Sequence, residues 1–301
     1  MLNDKTKSNS GTWFVLAAAV LWGTTGTSQA FAPEGFDPRV IGAMRLLIGG
    51  FALLLLASCR RELGRWQDWK WQTVLLAAAF TASYQLCFFA AVARTGVAIG
   101  TIVGIGSGPI FGGLLGLVFR GERPGRRWVL ATMMAIAGCS LLSLSGGEVE
   151  VDPLGILLAI GAGASYAAYT LLFKGLLEKH SPNAVMAVVV SGGAVMLSPL
   201  LVNCDVEWLL QPRSIAVLLH LGLATMALSY WFFSRGLQTV PVASAVTLAL
   251  AEPMTASLLG LLVLNEQLNG QAISGMCLIF FGLVVLVLPV GRRVRYREGS
   301  A

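Results

Sequence analysis

The sequence predicts an all-α integral membrane protein. Ten transmembrane helices form two inverted five-helix repeats, and both termini lie in the cytoplasm. Three observations support this fold class. The 301 residues are 56% hydrophobic and only 12% charged, which leaves too few polar side chains to cover a soluble globule of this size. The apolar residues form segments of about 20, long enough to cross a bilayer core of about 30 Å. The second half of the chain repeats the first.

The predicted helices follow one another with short polar connections. A polar tail over 1–12 precedes them and a basic tail over 291–301 follows them. Ala30-Phe31-Ala32 resembles a signal-peptide cleavage site, but the first segment is long for a signal core and has an intact counterpart in the second half, so we expect a transmembrane helix. We number the predicted segments 1 to 10 and place them at 13–32, 38–59, 71–92, 97–119, 127–145, 154–173, 184–202, 214–234, 240–263 and 271–290.

The internal repeat has a constant offset of 144 residues, which holds without a gap from Trp13 to Leu142. Matches of leucine and alanine carry little weight in so apolar a chain. The glycine, proline and glutamate positions carry more, because they share one offset while every hydrophobic segment stays in phase. The repeats are 13–145 and 154–290, and their clearest matches pair Pro38 with Pro182, Gly49 with Gly193, Pro109 with Pro253, Glu122 with Glu266 and Gly138 with Gly282.

The distribution of lysine and arginine orients the chain in the membrane. With a cytoplasmic amino terminus, 17 of the 21 cations fall on the cytoplasmic side and three on the other; the remaining one, Arg45, lies inside segment 2. Such a bias sets the orientation of membrane proteins, and it also explains the net charge of +6 without a nucleic-acid partner. Because each repeat has five helices, an odd number, the second enters the membrane inverted relative to the first.

Segment 4 carries glycine at every fourth residue, at Gly100, Gly104, Gly108, Gly112 and Gly116. In a helix these positions form a stripe of small residues that lets another backbone approach closely. Pro109 removes one hydrogen bond from this helix, and Pro253 does so in segment 9. We predict that Gly100, Gly104 and Gly108 serve helix packing, with Pro109 and Pro253 as hinges.

These features together resemble the drug/metabolite transporter superfamily, in its EamA-type branch, from about Trp13 to Pro289. The resemblance rests on the two five-helix repeats, on the Trp22-Gly23 turn, and on the runs from Pro109 to Glu122 and from Pro253 to Glu266. Within the branch, the sequence is most similar to bacterial YddG-type amino-acid exporters. The resemblance implies export of amino acids and similar metabolites through a central cavity lined by segments 1–4 and 6–9, with segments 5 and 10 as outer supports.

Two ionisable residues inside the membrane are the strongest candidates for a substrate pathway. Glu252 lies in segment 9 and Arg45 in segment 2, and a charge at this depth is costly unless it faces a cavity or a partner. Glu252 has a structural alternative as a protonated cap on a carbonyl freed by Pro253, or as the partner of Arg45. Arg45 can bind a carboxylate or anchor neighbouring helices. His220 fits a structural role better.

Aromatic and amide side chains on the expected lining segments complete the predicted pathway. Each of them can instead serve packing, so they are proposed as a set. With the two charged residues, the predicted substrate-pathway residues are Trp22, Arg45, Tyr84, Gln85, Tyr166, Tyr169, Trp231 and Glu252.

No catalytic, nucleotide or metal motif accompanies these residues: the sequence has no HExxH, GxSxG or Walker-type loop. We therefore expect no enzyme activity, no catalytic residue, no metal and no cofactor. The expected partners are a small-molecule substrate and the lipid bilayer, while the oligomeric state stays open. The sequence thus favours an inner-membrane secondary transporter that exports aromatic or other apolar amino acids and related small metabolites by alternating access. A channel-like pore for small neutral solutes is the alternative, and an intramembrane enzyme fits least.

The charge bias generates a test of topology. A reporter or a single cysteine at Glu150 is expected to react from outside the cell, and one in 60–70 or 120–126 only from inside, because cations accumulate on the cytoplasmic side. Labelling of intact cells with a membrane-impermeant thiol reagent measures this. A cytoplasmic position for Glu150 would contradict both the orientation and the inversion of the second repeat.

Overall fold

The computed structural model describes residues 2–33, 38–144, 152–202, 208, 211–265 and 267–288, without the side chains of 2–9, 38–39 and 97–99. Every regular element within these ranges is helical. Several predicted features lie outside the described residues: most of the connection 146–153, Glu266 and the basic tail.

A helix occupies each of the ten predicted segments within the described ranges. The first repeat contains α1 to α4 and the second α5 to α11. The helices are α1 (Leu2–Ala30), α2 (Pro38–Cys59), α3 (Trp71–Arg120), α4 (Arg126–Ser143), α5 (Pro153–Leu176), α6 (Pro182–Leu197), α7 (Pro212–Leu219), α8 (Ser229–Thr239), α9 (Val242–Leu248), α10 (Ala251–Val263) and α11 (Gly270–Val287).

Eight stretches of helix are long and apolar enough to cross a membrane, among the residues that the structure describes. Helices α1 and α4 match predicted segments 1 and 5 but are less apolar than these eight. The eight stretches are Val40–Cys59, Trp71–Gly96, Gly100–Arg120, Pro153–Leu176, Pro182–Leu201, Pro212–Thr239, Val242–Val263 and Gly270–Val287.

Predicted segments 3 and 4 join into one long element, α3, which is interrupted at a single residue. Gly96 has a φ of 76° and a ψ of 166°, a backbone conformation that glycine tolerates and other residues rarely adopt. The first helix is longer than predicted. It begins at Leu2 and so includes much of the predicted polar tail.

Segments 8 and 9, predicted as single helices, are both irregular. A π-helical stretch, His220–Leu228, separates α7 from α8. Segment 9 is divided between α9 and α10 at Ala249 and Leu250. Hydrophobic periodicity in the sequence does not reveal either irregularity, because each is a local change in backbone hydrogen bonding.

The two repeats interlock rather than lie side by side. The most extensive contacts join α3 to α5, α4 to α11, α2 to α6, and α1 to α8 and α10. Each of these pairs takes one helix from each repeat. The interface between the repeats therefore runs through the middle of the molecule, where a site between inverted repeats is expected.

The predicted glycine stripe of α3 faces protein. A Cβ atom added at Gly104 would lie 3.4 Å from Phe88 and 3.6 Å from the carbonyl of Ala159, and one at Gly108 would lie 3.2 Å from Val246. A Cβ at Gly100 would lie 2.8 Å from Val92. The stripe thus allows close approach of α5, α9 and the first half of α3 itself.

Among the described glycines, however, the closest approach to backbone atoms lies between α4 and α11. A Cβ added at Gly275 would lie 2.6 Å from the carbonyl oxygen of Gly138 and 2.7 Å from the backbone nitrogen of Leu142. A Cβ at Gly138 would lie 2.8 Å from the backbone nitrogen of Ile279. Because backbone atoms cannot move aside as side chains do, only glycine fits at this crossing.

We expect Gly138→Ala to lower the thermal stability of the protein in detergent, at a cost of about 1–3 kcal/mol, the usual range for overpacking. Gly106→Ala is the matched control, because a Cβ there would meet its nearest neighbour, Ile136, at an ordinary 3.8 Å. Melting temperatures measured by a thiol-independent fluorescence assay compare the two. Equal melting temperatures would show that α4 and α11 separate without cost.

Candidate substrate cavity

A cavity of about 700 Å³ lies between the two repeats. Its walls come from α1 to α5, from α8 and α10, and from Ala249 between α9 and α10. The lining reaches Gln29 near the end of α1 and Ser143 at the end of α4. The cavity thus extends toward one face of the molecule, the face opposite the end of α3 at Arg120.

Five aromatic side chains form one wall of this cavity. Trp22 lies 6.5 Å from Tyr166 and 5.7 Å from Tyr230 between ring centroids. Tyr84 lies 5.8 Å from Tyr166, which in turn lies 5.2 Å from Tyr169. Aromatic rings at these separations pack favourably and present a large apolar surface.

Tyr230 was missed by the sequence prediction, which selected its neighbour Trp231. The structure corrects this choice: Trp231 is absent from the described lining of the cavity. Its ring instead packs beneath the guanidinium of Arg235, 3.6 Å from the ring centroid. Because a helix has 3.6 residues per turn, adjacent residues of α8 face different directions, and residue type alone does not tell which of the two aromatic side chains faces the cavity.

Predicted segment 5 also contributes to the cavity. Leu142 and Ser143, at the end of α4, belong to its lining, so this helix is more than an outer support. Segment 7 contributes none of the described lining residues, against the expectation from the resemblance. Whether segments 5 and 7 reach the cavity depends on the pairing of α4 with α11 and of α2 with α6. Composition does not reveal which helices pair.

Arg45 and Glu252 line the same cavity. No ion pair joins them in the part of the chain that the structure describes. The side chain of Arg45 is buried, and its Nε atom has no hydrogen-bond partner. A buried donor without a partner is costly, and a ligand with an acceptor group can satisfy it.

Two further buried groups on the lining lack partners. They are the Nε2 amide of Gln29 and the hydroxyl of Tyr166. Gln85, the predicted amide of this site, is also buried and lies on the lining. The cavity therefore combines an apolar wall with several polar groups available to a bound molecule, the usual composition of a small-molecule site.

The break between α9 and α10 places Glu252 at the cavity. Proline at 253 has no N–H to bond the carbonyl of Ala249, and the backbone N–H of Glu252 bonds this carbonyl instead, at 2.9 Å. The chain tightens into a turn at this point. The carboxyl group of Glu252 is consequently not needed as the cap on that carbonyl, which removes one of its structural alternatives.

Pro109, the matching proline of the first repeat, lies inside α3 without a comparable break. Ile105, the residue whose carbonyl Pro109 cannot bond, is part of the cavity lining.

His220 forms a hydrogen bond of 2.9 Å with the hydroxyl of Thr24. His220 thus links the π-helical stretch to α1, and it is not among the described residues that line the cavity.

The EamA-like transporter family matches this chain twice, over residues 9–144 and 153–288. Together the matches cover both repeats. The chain belongs to the EamA-like transporter family. It is therefore a multi-pass membrane transporter and not an enzyme, as the sequence predicted.

Proteins named as transporters resemble the chain over most of its length. It is 46% identical over 280 residues to the uncharacterized transporter YwfM of Bacillus subtilis, a match covering 93% of this chain and 94% of the relative. It is 28% identical over 178 residues to the threonine/homoserine exporter RhtA of Salmonella typhimurium, over 57% of each chain. A solved crystal structure aligns with a TM-score of 0.80 and 20% identity, over 92% of this chain and 96% of its own.

We expect Glu252→Gln to leave yield and thermal stability near those of the unmodified protein, because the Ala249 carbonyl keeps its partner. Transport should fall about tenfold or more, or change its pH dependence, since hydrogen bonds to a charged group contribute about 1.5–3 kcal/mol. Arg45→Met should act similarly on transport. Flux into proteoliposomes and melting temperature are measured together.

Arg235→Met is the matched control for Arg45→Met, because Arg235 is a partly buried arginine outside the described cavity lining. It should leave substrate preference unchanged. A double variant of Arg45 and Glu252 more stable than either single variant would show an ion pair that forms in another state. Unchanged flux in all variants across the pH range would exclude both residues from the pathway.

Proposed function

We propose that this protein is a secondary transporter of the bacterial inner membrane that exports amino acids and related small metabolites from the cytoplasm. The preferred substrates have aromatic or other apolar side chains. In this proposal ten helices cross the membrane, both termini are cytoplasmic, and the two inverted repeats rock against each other to expose the cavity to one side and then the other.

One observation carries the proposal: a guanidinium and a carboxyl group share a cavity that also has an aromatic wall. A zwitterionic amino acid offers a carboxylate to Arg45 and an ammonium to Glu252. Its apolar side chain can pack against rings such as those of Trp22 and Tyr166. Carriers of phosphorylated substrates need several cations, whereas Arg45 is the single cation among the described lining residues.

The relatives support the same substrate class. RhtA is described as a threonine and homoserine exporter, and both of those substrates are zwitterionic amino acids. The sequence has no nucleotide-binding motif, so we expect an ion gradient or the gradient of the substrate itself to drive transport. The similarity to YddG-type exporters stays a prediction.

The alternative is a channel-like facilitator for small neutral solutes. A channel needs a continuous pore in at least one state. In the described structure, buried aromatic side chains close the cavity at the end toward Arg120, among them Phe173 and Phe233. This closed end favours a carrier over a pore.

The test is a flux assay with purified protein in proteoliposomes. Labelled phenylalanine should be taken up with saturable kinetics, and unlabelled tryptophan, phenylalanine and threonine should compete. Phenethylamine, which lacks the carboxylate, and phenylpropionate, which lacks the ammonium, should compete about tenfold or more weakly, since each loses one charged hydrogen bond. Imposing a pH gradient tests for proton coupling.

Protein-free vesicles and the Glu252→Gln variant are the controls for this assay. Flux that rises linearly with concentration and ignores all competitors would support the channel-like alternative. Equal competition by phenethylamine and phenylalanine would contradict recognition of the carboxylate by Arg45.

A further inference from the structure

The end of the molecule opposite the cavity mouth carries a compact group of charged side chains. We define the polar clasp as Arg120, Glu122, Lys174 and Glu178. Arg120 is the last residue of α3, and Glu122 follows it closely; Lys174 and Glu178 lie near the end of α5. The clasp therefore links the end of α3, in the first repeat, to the end of α5, in the second.

Three ion pairs hold the clasp together. The Nη2 atom of Arg120 lies 2.6 Å from Oε1 of Glu178, and its Nε atom lies 3.5 Å from Oε1 of Glu122. The same Glu122 oxygen lies 3.8 Å from Nζ of Lys174. The hydrogen bond from Arg120 also holds the pKa of Glu178 below its ordinary value, so this pair is charged at neutral pH.

The clasp also fixes the start of α9. The backbone N–H of Val242 donates a hydrogen bond of 2.9 Å to Oε2 of Glu122, and Lys174 donates one to the carbonyl of Val240. Helix α9 begins at Val242 and leads to the break that positions Glu252. Charged groups from both repeats thus hold the half-helix whose end, at Ala249, meets the cavity.

A layer of packed side chains separates the clasp from the cavity. Tyr169 and Tyr230 belong to the cavity lining, and beyond them Phe173, Phe233 and Leu237 are fully buried, at 0% exposure. The clasp lies at the outer edge of this layer, toward the side on which cations are concentrated. The cavity is consequently closed on this side and extends toward the other.

We propose that the polar clasp is the cytoplasmic gate, and that its ion pairs break before a substrate can reach the cavity from that side. This inference rests on the alternating access of the proposed function. The side chains of Arg120, Glu122 and Lys174 are 25%, 18% and 12% exposed, so water can solvate each charge once the pairs separate. Glu178, the partner of Arg120, is 57% exposed, and an ion pair open to water forms and breaks at small net cost, as reversible closure requires.

The test measures access to the cavity from each side of the membrane without any substrate. Thr25, a lining residue on α1, is changed to cysteine in a background without native cysteines. The protein is reconstituted in vesicles of known orientation and labelled with a membrane-impermeant maleimide. Glu122→Gln should raise labelling from the cytoplasmic side about fivefold or more, the lower range of conformational coupling, and lower it from the other side.

Asp152→Asn is the matched control. It breaks another arginine–carboxylate pair between the repeats, Arg94 with Asp152 at 3.2 Å, and it should leave cytoplasmic labelling unchanged. Arg120→Gln is a second gate variant that keeps the Val242 hydrogen bond, should Glu122→Gln fail to fold. Melting temperatures identify folded variants.

Unchanged sidedness of labelling in a folded Arg120→Gln or Glu122→Gln variant would overturn the gate. An equal rise with Asp152→Asn would also overturn it, because the effect would then be general loosening. If labelling shifts as expected while no amino acid is transported, the proposed substrate class fails and the gate stands.

Discussion

The interruption of one helix at Pro253 is the constraint on which the rest of the site depends. Within a membrane every backbone carbonyl needs a partner from the protein, because the lipid offers none. Since proline leaves the Ala249 carbonyl unbonded, the chain tightens until the N–H of Glu252 bonds it. This local repair separates α9 from α10 and brings Glu252 to the cavity.

The two repeats meet through contacts of different strength. Where α4 crosses α11, the backbones approach so closely that only glycine fits, and such packing is rigid. At the polar clasp the charged side chains are partly exposed, so water can solvate them when the ion pairs separate. In the proposed alternating access, the glycine crossing holds the halves together while the clasp lets them move. The cavity lies between the two.

Several residues of the cavity lining carry strong individual signals in the sequence. An ionisable residue in an apolar segment is expensive, so Arg45 and Glu252 stood out without any structure. The aromatic residues Trp22, Tyr84, Tyr166 and Tyr169 were proposed as a set, and all four line the cavity. Trp231 is absent from the described lining, to which its neighbour Tyr230 belongs, because residue type and segment do not tell which of two adjacent aromatic side chains faces inward. The polar clasp could not be predicted from the sequence, since Arg120 and Glu122 lie in one repeat and Lys174 and Glu178 in the other.

The sequence by itself determined the membrane class, the two repeats, the helical segments and the family, because these depend on composition, periodicity and an offset of 144 residues. The tertiary structure alone decided which side of each helix faces the cavity and which end of the cavity is closed. It also decided that Arg45 and Glu252 share a cavity without pairing. These properties depend on contacts between distant segments, such as Glu122 with Val242. A pattern read along one helix holds no information about its neighbours.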